Sequence, residues 1–354
     1  MKVISYRFHV GYGFILQALA LQKYLRAIGY SVKHLKLFRP YNSYVSKEKQ
    51  NKYPAFIWKP VAIYRKLKAI FSMEKKFFHE LDLKFTKSLA IDNDKCFIVG
   101  SDQIWNPDLM LNMEQIYFLE FTNSVKKISY AASLGMQKWP KEFEQRVLPL
   151  LQKFHAISVR EESSVKYLHS LGLNAVCVCD PTILHKADFY RKEFSLKKNS
   201  SEDYIFTFRI RENIPILCNC KTITVHLHNK KTLVSVSEWL SLIDNAEFVL
   251  TDSFHCVVFC ILFHKQFAVF QNKGKEEGMN ERFTTILGKT GLEYRILQDT
   301  ETEEQILTVV KRPIDWVRVD AVLDEWRHYS ANWLNNALIG ENVQQMEDQN
   351  VHRR

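Results

Sequence analysis

A chain of 354 residues, 46% of them hydrophobic, is long enough for two ordinary domains with real cores, and 11 glycines and 9 prolines leave little room for low-complexity sequence. A formal net charge of +10 demands an anionic partner or surface. The sequence shows no repeat at solenoid periods, no apolar signal-like run at its start, and no uncharged apolar run of spanning length, the longest candidate being Cys256–Phe263; the expected location is the cytoplasm.

Lys2–Tyr6 reads as a first strand, and Gly11 and Gly13 as a tight turn. A helix is expected from Phe14 to Ile28, because Leu16, Leu19, Ala20, Lys23 and Leu25 fall in helical register and Gly29 suits its C-terminal cap. Val32–Leu37 is the next strand, completing a β-α-β unit, the elementary block of a parallel sheet. A basic aromatic insertion follows at about 42–90. Within it, residues 58–87 interleave Lys59, Arg65, Lys66, Lys68, Lys75, Lys76, Lys84 and Lys87 with Trp58, Tyr64, Phe71, Phe77 and Phe78. Such a stretch can lie as a helix on anionic lipid, or be a solvated basic helix whose aromatics pack on the host domain; the second is the commoner arrangement. Nucleic acid is a poor candidate, since no helix-turn-helix, zinc finger or aromatic sheet signature accompanies the charge.

Strands are expected again at Cys96–Val99, Ile128–Ala132, Ala156–Val159 and Val176–Cys179, with helices at Lys141–Lys153 and from Glu162 to Gly172. Asp180-Pro181-Thr182 marks the domain junction. The second half repeats the alternation: Tyr204–Phe208, Thr222–His226, a helix at Ser237–Ile243, Phe248–Leu250, a helix at Phe254–Phe263, and Phe267–Phe270. Trp316–Leu338 is helix-prone and suited to tying two domains together. The expected organisation is therefore an N-terminal domain at 1–180, a C-terminal domain at 181–315, a connecting helix at 316–338 and a polar tail at 339–354. The seven cysteines are spaced C-x-C and C-x3-C rather than as paired C-x2-C, which disfavours a zinc ribbon and suits reduced, buried thiols.

Chemistry concentrates at two strand ends. In CFIVGSDQIWN (residues 96–106) an apolar run stops at Gly100 and is followed by a hydroxyl, a carboxylate and an amide. In TDSFHCVVFCILF (251–263) Asp252, Ser253 and His255 fall on a strand-to-helix turn. Open α/β sheets bind their ligands at such carboxyl ends. Asp102 reads either as an acid/base group or as an acceptor for backbone N–H groups in its turn. His255 opens a helix, where backbone N–H groups face an anion, or else is a satisfied core histidine. Arg160, directly after a strand, suits a bidentate grip on phosphate or carboxylate, or a salt bridge to Glu161 or Glu162.

GSDQIWNP (100–107), ISYAASLG (128–135), ISVREESSVKYL (157–168), CDPTIL (179–184) and TDSFHCVVFCI (251–261) occur in this order, after an opening GYGFILQALALQKYL. In this the chain resembles the polysaccharide pyruvyl transferase family, over about residues 1–300. The resemblance implies an α/β protein of two Rossmann-like domains, with mainly parallel sheets facing a cleft, glycosyltransferase-B-like. It implies that the pyruvyl group of phosphoenolpyruvate moves onto two hydroxyls of a sugar in a capsular or exopolysaccharide repeat unit, forming a cyclic ketal and releasing phosphate. His255 would then manage protons, with Asp102 orienting the acceptor hydroxyl or assisting. Arg160 would hold the donor's phosphate or carboxylate. Ser101, Gln103, Asn106, Ser133, Ser253 and Arg282 would complete substrate binding.

Phosphoenolpyruvate is a substrate here, and the resemblance requires neither cofactor nor metal. A lipid-linked acceptor would place the protein peripherally on the inner leaflet of the plasma membrane. Two departures from the family pattern stand out. The first turn reads His9-Val10-Gly11-Tyr12-Gly13 without the usual asparagine, and Ser253 occupies a place often held by arginine, so a donor cation is expected from Arg282 or Lys265. Residues 209–224 are also short for a full crossover helix. Two other readings compete: a nucleotide-sugar glycosyltransferase, for which the E-x7-E-like carboxylate pair is missing, and a non-catalytic scaffold of polysaccharide assembly.

Overall fold

A computed structural model describes residues 1–4, 11–37, 80–83, 95–110, 114–122, 125–197, 203–210, 221–227, 229, 231–271, 280–297 and 302–340. Two parallel sheets organise them. The first holds β1 (Lys2–Ile4), β2 (Lys33–Leu37), β3 (Glu80–Leu83), β4 (Cys96–Val99), β5 (Lys126–Ala132), β6 (Ala156–Val159) and β7 (Ala175–Cys177), in the order β3-β2-β1-β4-β5-β6-β7. The second holds β8 (Ile205–Arg209), β9 (Thr222–His226), β10 (Phe248–Thr251), β11 (Gln266–Phe270) and β12 (Ile296–Leu297), in the order β12-β11-β10-β8-β9.

The central strands are uniform apolar runs because both of their faces are covered. Every residue of β4, β6 and β10 is buried. Register is set by pairs such as Val3 with Ile98, and Leu250 with both Thr207 and Ala268. The Phe254–Leu262 helix is buried in all nine of its residues, which is why it reads as apolar all round rather than striped. Gly29 takes a left-handed φ of 94° just after the Tyr12–Ala27 helix, the conformation that ends helices most readily in glycine.

Three features depart from the sequence reading. Gly13 lies inside the first turn of the Tyr12–Ala27 helix, so only Gly11 precedes it. Glu80–Leu83 adds a strand, paired in parallel with β2, that the sequence does not suggest; the helical stripe expected over residues 64–78 and the rest of the basic insertion lie outside the described residues, as do 211–220 and the tail after 340. Helices at Ala187–Glu193, Glu281–Thr290 and Glu303–Lys311 add to the expected elements.

The last helix, Trp316–Ile339, runs between the two sheets. Near its start Trp316 stacks on His264 at 4.8 Å and Lys289 lies 5.2 Å from the Trp326 ring. Further on, the Ser330 hydroxyl accepts the Cys179 N–H, Trp333 meets Tyr130, and Lys126 Nζ donates to the Leu338 carbonyl. Burying large side chains such as Leu323, Trp333 and Leu334 contributes roughly 1.5–3 kcal/mol each, which makes this helix a strong strap. No described helix is long and apolar enough to cross a membrane.

Candidate active site

Each sheet reverses its strand order once, and each reversal carries one of the polar clusters. In the first sheet the reversal lies between β1 and β4, and β4 runs into Gly100, Ser101 and Asp102. In the second it lies between β8 and β10, and β10 runs into Asp252, Ser253 and His255. Chains diverge to opposite faces at such a point and leave a crevice beyond the carboxyl ends of the strands. Asp252 Oδ1 accepts the Ile210 N–H at 2.7 Å and so ties the two strand ends together.

The two clusters meet on Asp180, wholly buried at the start of a short 3-10 turn, Pro181–Leu184. Its Oδ1 accepts the Thr182 N–H at 3.0 Å and the Thr182 hydroxyl at 2.7 Å. Its Oδ2 accepts from Arg160 Nη1 at 3.0 Å and lies 3.3 Å from Ser101 Oγ. His255 Nε2, from the other half of the chain, stands 3.6 Å from that same oxygen, an ion-pair distance rather than a hydrogen bond. Burial opposes ionisation of Asp180, but His255 and Arg160 outweigh it and hold the carboxyl well below the usual range. From its sequence position Asp180 marks the expected domain junction and is not among the expected site residues. The signal was there, an Asp-Pro-Thr step directly after a strand.

Arg160 is 1% exposed and surrounded by carboxylates. Nε donates to Glu161 Oε1 at 3.1 Å, Nη1 to Asp180, and Nη2 lies 3.5 Å from Asp102 Oδ1. The guanidinium also rests over the Phe254 ring, 4.2 Å from its centroid. Burial lowers its pKa, yet the three carboxylates more than offset this, so the side chain is a permanent cation. Glu161 and Asp180 thus take Nε and Nη1, as in the salt-bridge alternative to Glu161, while Nη2 has no hydrogen-bond partner among the described residues.

The remaining candidates divide by role. Ser101 is fully buried; its N–H donates to Gln17 Oε1 at 3.0 Å and its Oγ to the Ala131 carbonyl at 2.8 Å, beside a register irregularity in β5 between Ser129 and Ala132. Asp102 adopts a left-handed φ of 62°, uncommon for a residue with a Cβ, and its Oδ1 accepts the Gln103 N–H at 2.9 Å. Gln103 and Asn106 hold each other at 2.8 Å. Gln103, Ser133 and Arg282 line one narrow pocket with Glu161, so Arg282 is brought to the cluster from the second half.

Ser253 Oγ caps the Phe254–Leu262 helix by accepting the Cys256 N–H. Lys265 is a correction. Its Nζ donates to the Ala246 carbonyl, before the start of β10 and hence at the opposite end from His255.

Two glycine and tyrosine contacts escaped the sequence reading. A Cβ on Gly13 would sit 2.0 Å from His255 Nδ1, so this helical glycine exists to let the imidazole pack against the first helix. Next to it, the Tyr12 hydroxyl donates to the Val234 carbonyl at 2.9 Å and accepts the Val234 N–H at 3.2 Å, while its ring stacks on Trp239 at 4.9 Å. Burial pushes that phenol up to about 12. A larger hollow of about 270 Å³, lined in part by Phe154, His155, Leu173 and Trp333, lies at the amino ends of β6 and β7, away from both reversals. Among the described residues no group of three His, Cys, Asp or Glu side chains is arranged so that it could hold a metal ion.

A family model described as polysaccharide pyruvyl transferase matches residues 12–274. No curated protein matches the sequence. Among solved structures, UDP-GlcNAc 2-epimerase from Methanocaldococcus jannaschii is 11% identical, with 92% of this chain and 100% of that chain covered and a TM-score of 0.50. UGT89C1 of Arabidopsis thaliana, complexed with UDP-L-rhamnose, is 10% identical, with 99% and 98% covered and a TM-score of 0.50. Similarity at that level of identity is one of fold, and the architecture of paired parallel sheets is glycosyltransferase-B-like.

Proposed function

The chain belongs to the polysaccharide pyruvyl transferase family, and from that premise we propose that it moves the pyruvyl group of phosphoenolpyruvate onto two hydroxyls of one sugar in a polysaccharide repeat unit. The observation that carries this reading is the approach of His255 and Arg160, from opposite halves of the chain, to one oxygen of Asp180. The reaction needs an acid to protonate the methylene carbon of the donor. The carbon left behind is cationic and is attacked by the first hydroxyl. The C–O bond to phosphate then breaks, and the second hydroxyl closes the ketal. Two hydroxyl protons are released, one balancing the new methyl group and one leaving on phosphate.

His255 is the group for these transfers, with Asp180, 3.6 Å from Nε2, holding its ring. The buried carboxylates of Asp102 and Asp180 beside Arg160 stabilise positive charge on the pyruvyl carbon as it develops. The departing phosphate faces the N-terminus of the Phe254–Leu262 helix. Arg209, which closes β8, would meet the donor's phosphate or carboxylate from the second half. A lipid-linked acceptor would make the protein peripheral to an anionic membrane.

The test is release of inorganic phosphate from phosphoenolpyruvate in the presence of sugar acceptors, with mass spectrometry of the product. Wild type should release phosphate and leave a ketal carrying one extra carboxylate, and His255→Ala should lose most turnover. An unaffected rate in His255→Ala removes the histidine from the mechanism. Transfer of a glycosyl group from a nucleotide sugar, with no reaction of phosphoenolpyruvate, would overturn the reading as a whole.

A further inference from the structure

Glu161 carries a buried carboxylate that is only half engaged. It is 4% exposed; Oε1 takes the Arg160 Nε–H at 3.1 Å, and Oε2 has no hydrogen-bond partner among the described residues. An unsatisfied buried acceptor costs about 1–3 kcal/mol, and proteins keep one mainly where something else completes it. Glu161 lines the narrow pocket at the border of the two halves, with Gln103, Ser133 and Ser163 from the first half and Glu281 and Arg282 from the second. The enclosed part measures about 10 Å³, room for one hydroxyl-sized group and not for a ring.

The lining selects among ligands. A phosphate or carboxylate would meet Glu161 and Glu281 and be repelled. A neutral hydroxyl can donate to the carboxylate and accept from the guanidinium of Arg282 at once. Burial pushes the Glu161 carboxyl up against the pull of Arg160, the neighbouring Ser133 hydroxyl and Arg282, which suits an acceptor that strengthens its bond to a hydroxyl proton.

We propose that this pocket is the acceptor subsite: one hydroxyl of the sugar enters it and donates to Glu161 Oε2, while the ring lies across the mouth. This rests on the pyruvyl transfer reading and adds the place where the acceptor is held. It also assigns Glu161 a duty distinct from its bond to Arg160.

The probe is binding of free hexoses (glucose, galactose, mannose and N-acetylmannosamine) to the full chain by saturation-transfer NMR, with phosphoenolpyruvate binding followed separately by tryptophan fluorescence. At least one hexose should bind wild type, and Glu161→Gln should weaken it tenfold or more while phosphoenolpyruvate binding changes less than twofold. Ser163→Leu, which fills the mouth without touching the Arg160 network, should do the same and carries the test if Glu161→Gln does not fold. Hexose binding unchanged in either folded variant overturns the subsite, and so does wild type that binds no hexose. Wild type that binds hexose but not phosphoenolpyruvate leaves the subsite standing and sinks the donor assignment instead.

Discussion

Asp180→Asn is the sharpest perturbation of the site, because it removes charge while nearly preserving shape. The amide oxygen can keep the Thr182 contacts, but the other atom becomes an N–H₂ facing Arg160 Nη1 at 3.0 Å and His255 Nε2 at 3.6 Å. Breaking a buried ion pair by removing one partner costs about 3–5 kcal/mol. Glu161 and Asp102 still face Arg160, so the low end of that range, about 3 kcal/mol, is expected in chemical denaturation.

Turnover should suffer separately from stability. With the carboxylate gone, His255 loses the group that orients it, and the loss should approach the full contribution of acid–base catalysis, about 10²–10⁴-fold. Adding His255→Ala to Asp180→Asn should then cost almost nothing further, since the two act as a unit. The pH dependence follows from the sign of the shift. Asp180 is held below its ordinary value in the folded state, so its stabilisation is present above the unfolded carboxylate pKa of about 3.9 and is lost as pH falls through the folded one. Wild type should therefore lose stability progressively below about pH 5, and Asp180→Asn should show a flatter acid limb. A folded Asp180→Asn enzyme with a rate near that of wild type would refute the reasoning.

Gly13→Ala should cut phosphate release at least tenfold while leaving the helical circular dichroism intact, because a Cβ 2.0 Å from His255 Nδ1 must displace the imidazole although alanine suits a helix. An unchanged rate would mean that the ring has freedom to move away. Tyr12→Phe removes the hydroxyl that satisfies both the N–H and the carbonyl of Val234, and should lower stability by about 1–3 kcal/mol in urea titration. The basic insertion predicts a further outcome: Lys66→Glu, Lys68→Glu, Lys75→Glu and Lys76→Glu together should abolish sedimentation with anionic liposomes, and unaltered sedimentation would remove the membrane-docking role.

Much of the architecture was legible in the chain, for local reasons. Cys96–Val99, Ala156–Val159 and Thr222–His226 were readable to the residue, because short β-branched runs bounded by turn residues have few other uses. Strand-helix alternation implied parallel sheets, and it also placed Asp102 and His255 at carboxyl ends. The edge strand Glu80–Leu83 was not legible, since four residues in a lysine-rich stretch carry too little pattern to stand out. The Ser253 cap was missed for a different reason: a serine before a helix looks the same whether it serves the backbone or a ligand.

Tertiary structure alone decided what the polar residues do. Periodicity reports which face of an element is buried, whereas the neighbour a strand-end residue meets depends on strand order and on how the two sheets close together. Asp180 could not be told from any turn-capping aspartate until Arg160 and His255 arrived at its second oxygen from residues 20 positions before it and in the other half of the chain. Arg160 met carboxylates from Glu161 and Asp180, Lys265 went to the far end of β10, and Gly13 became a seat for an imidazole more than two hundred residues away. Burial patterns are written residue by residue, but convergence is a property of the assembled sheets.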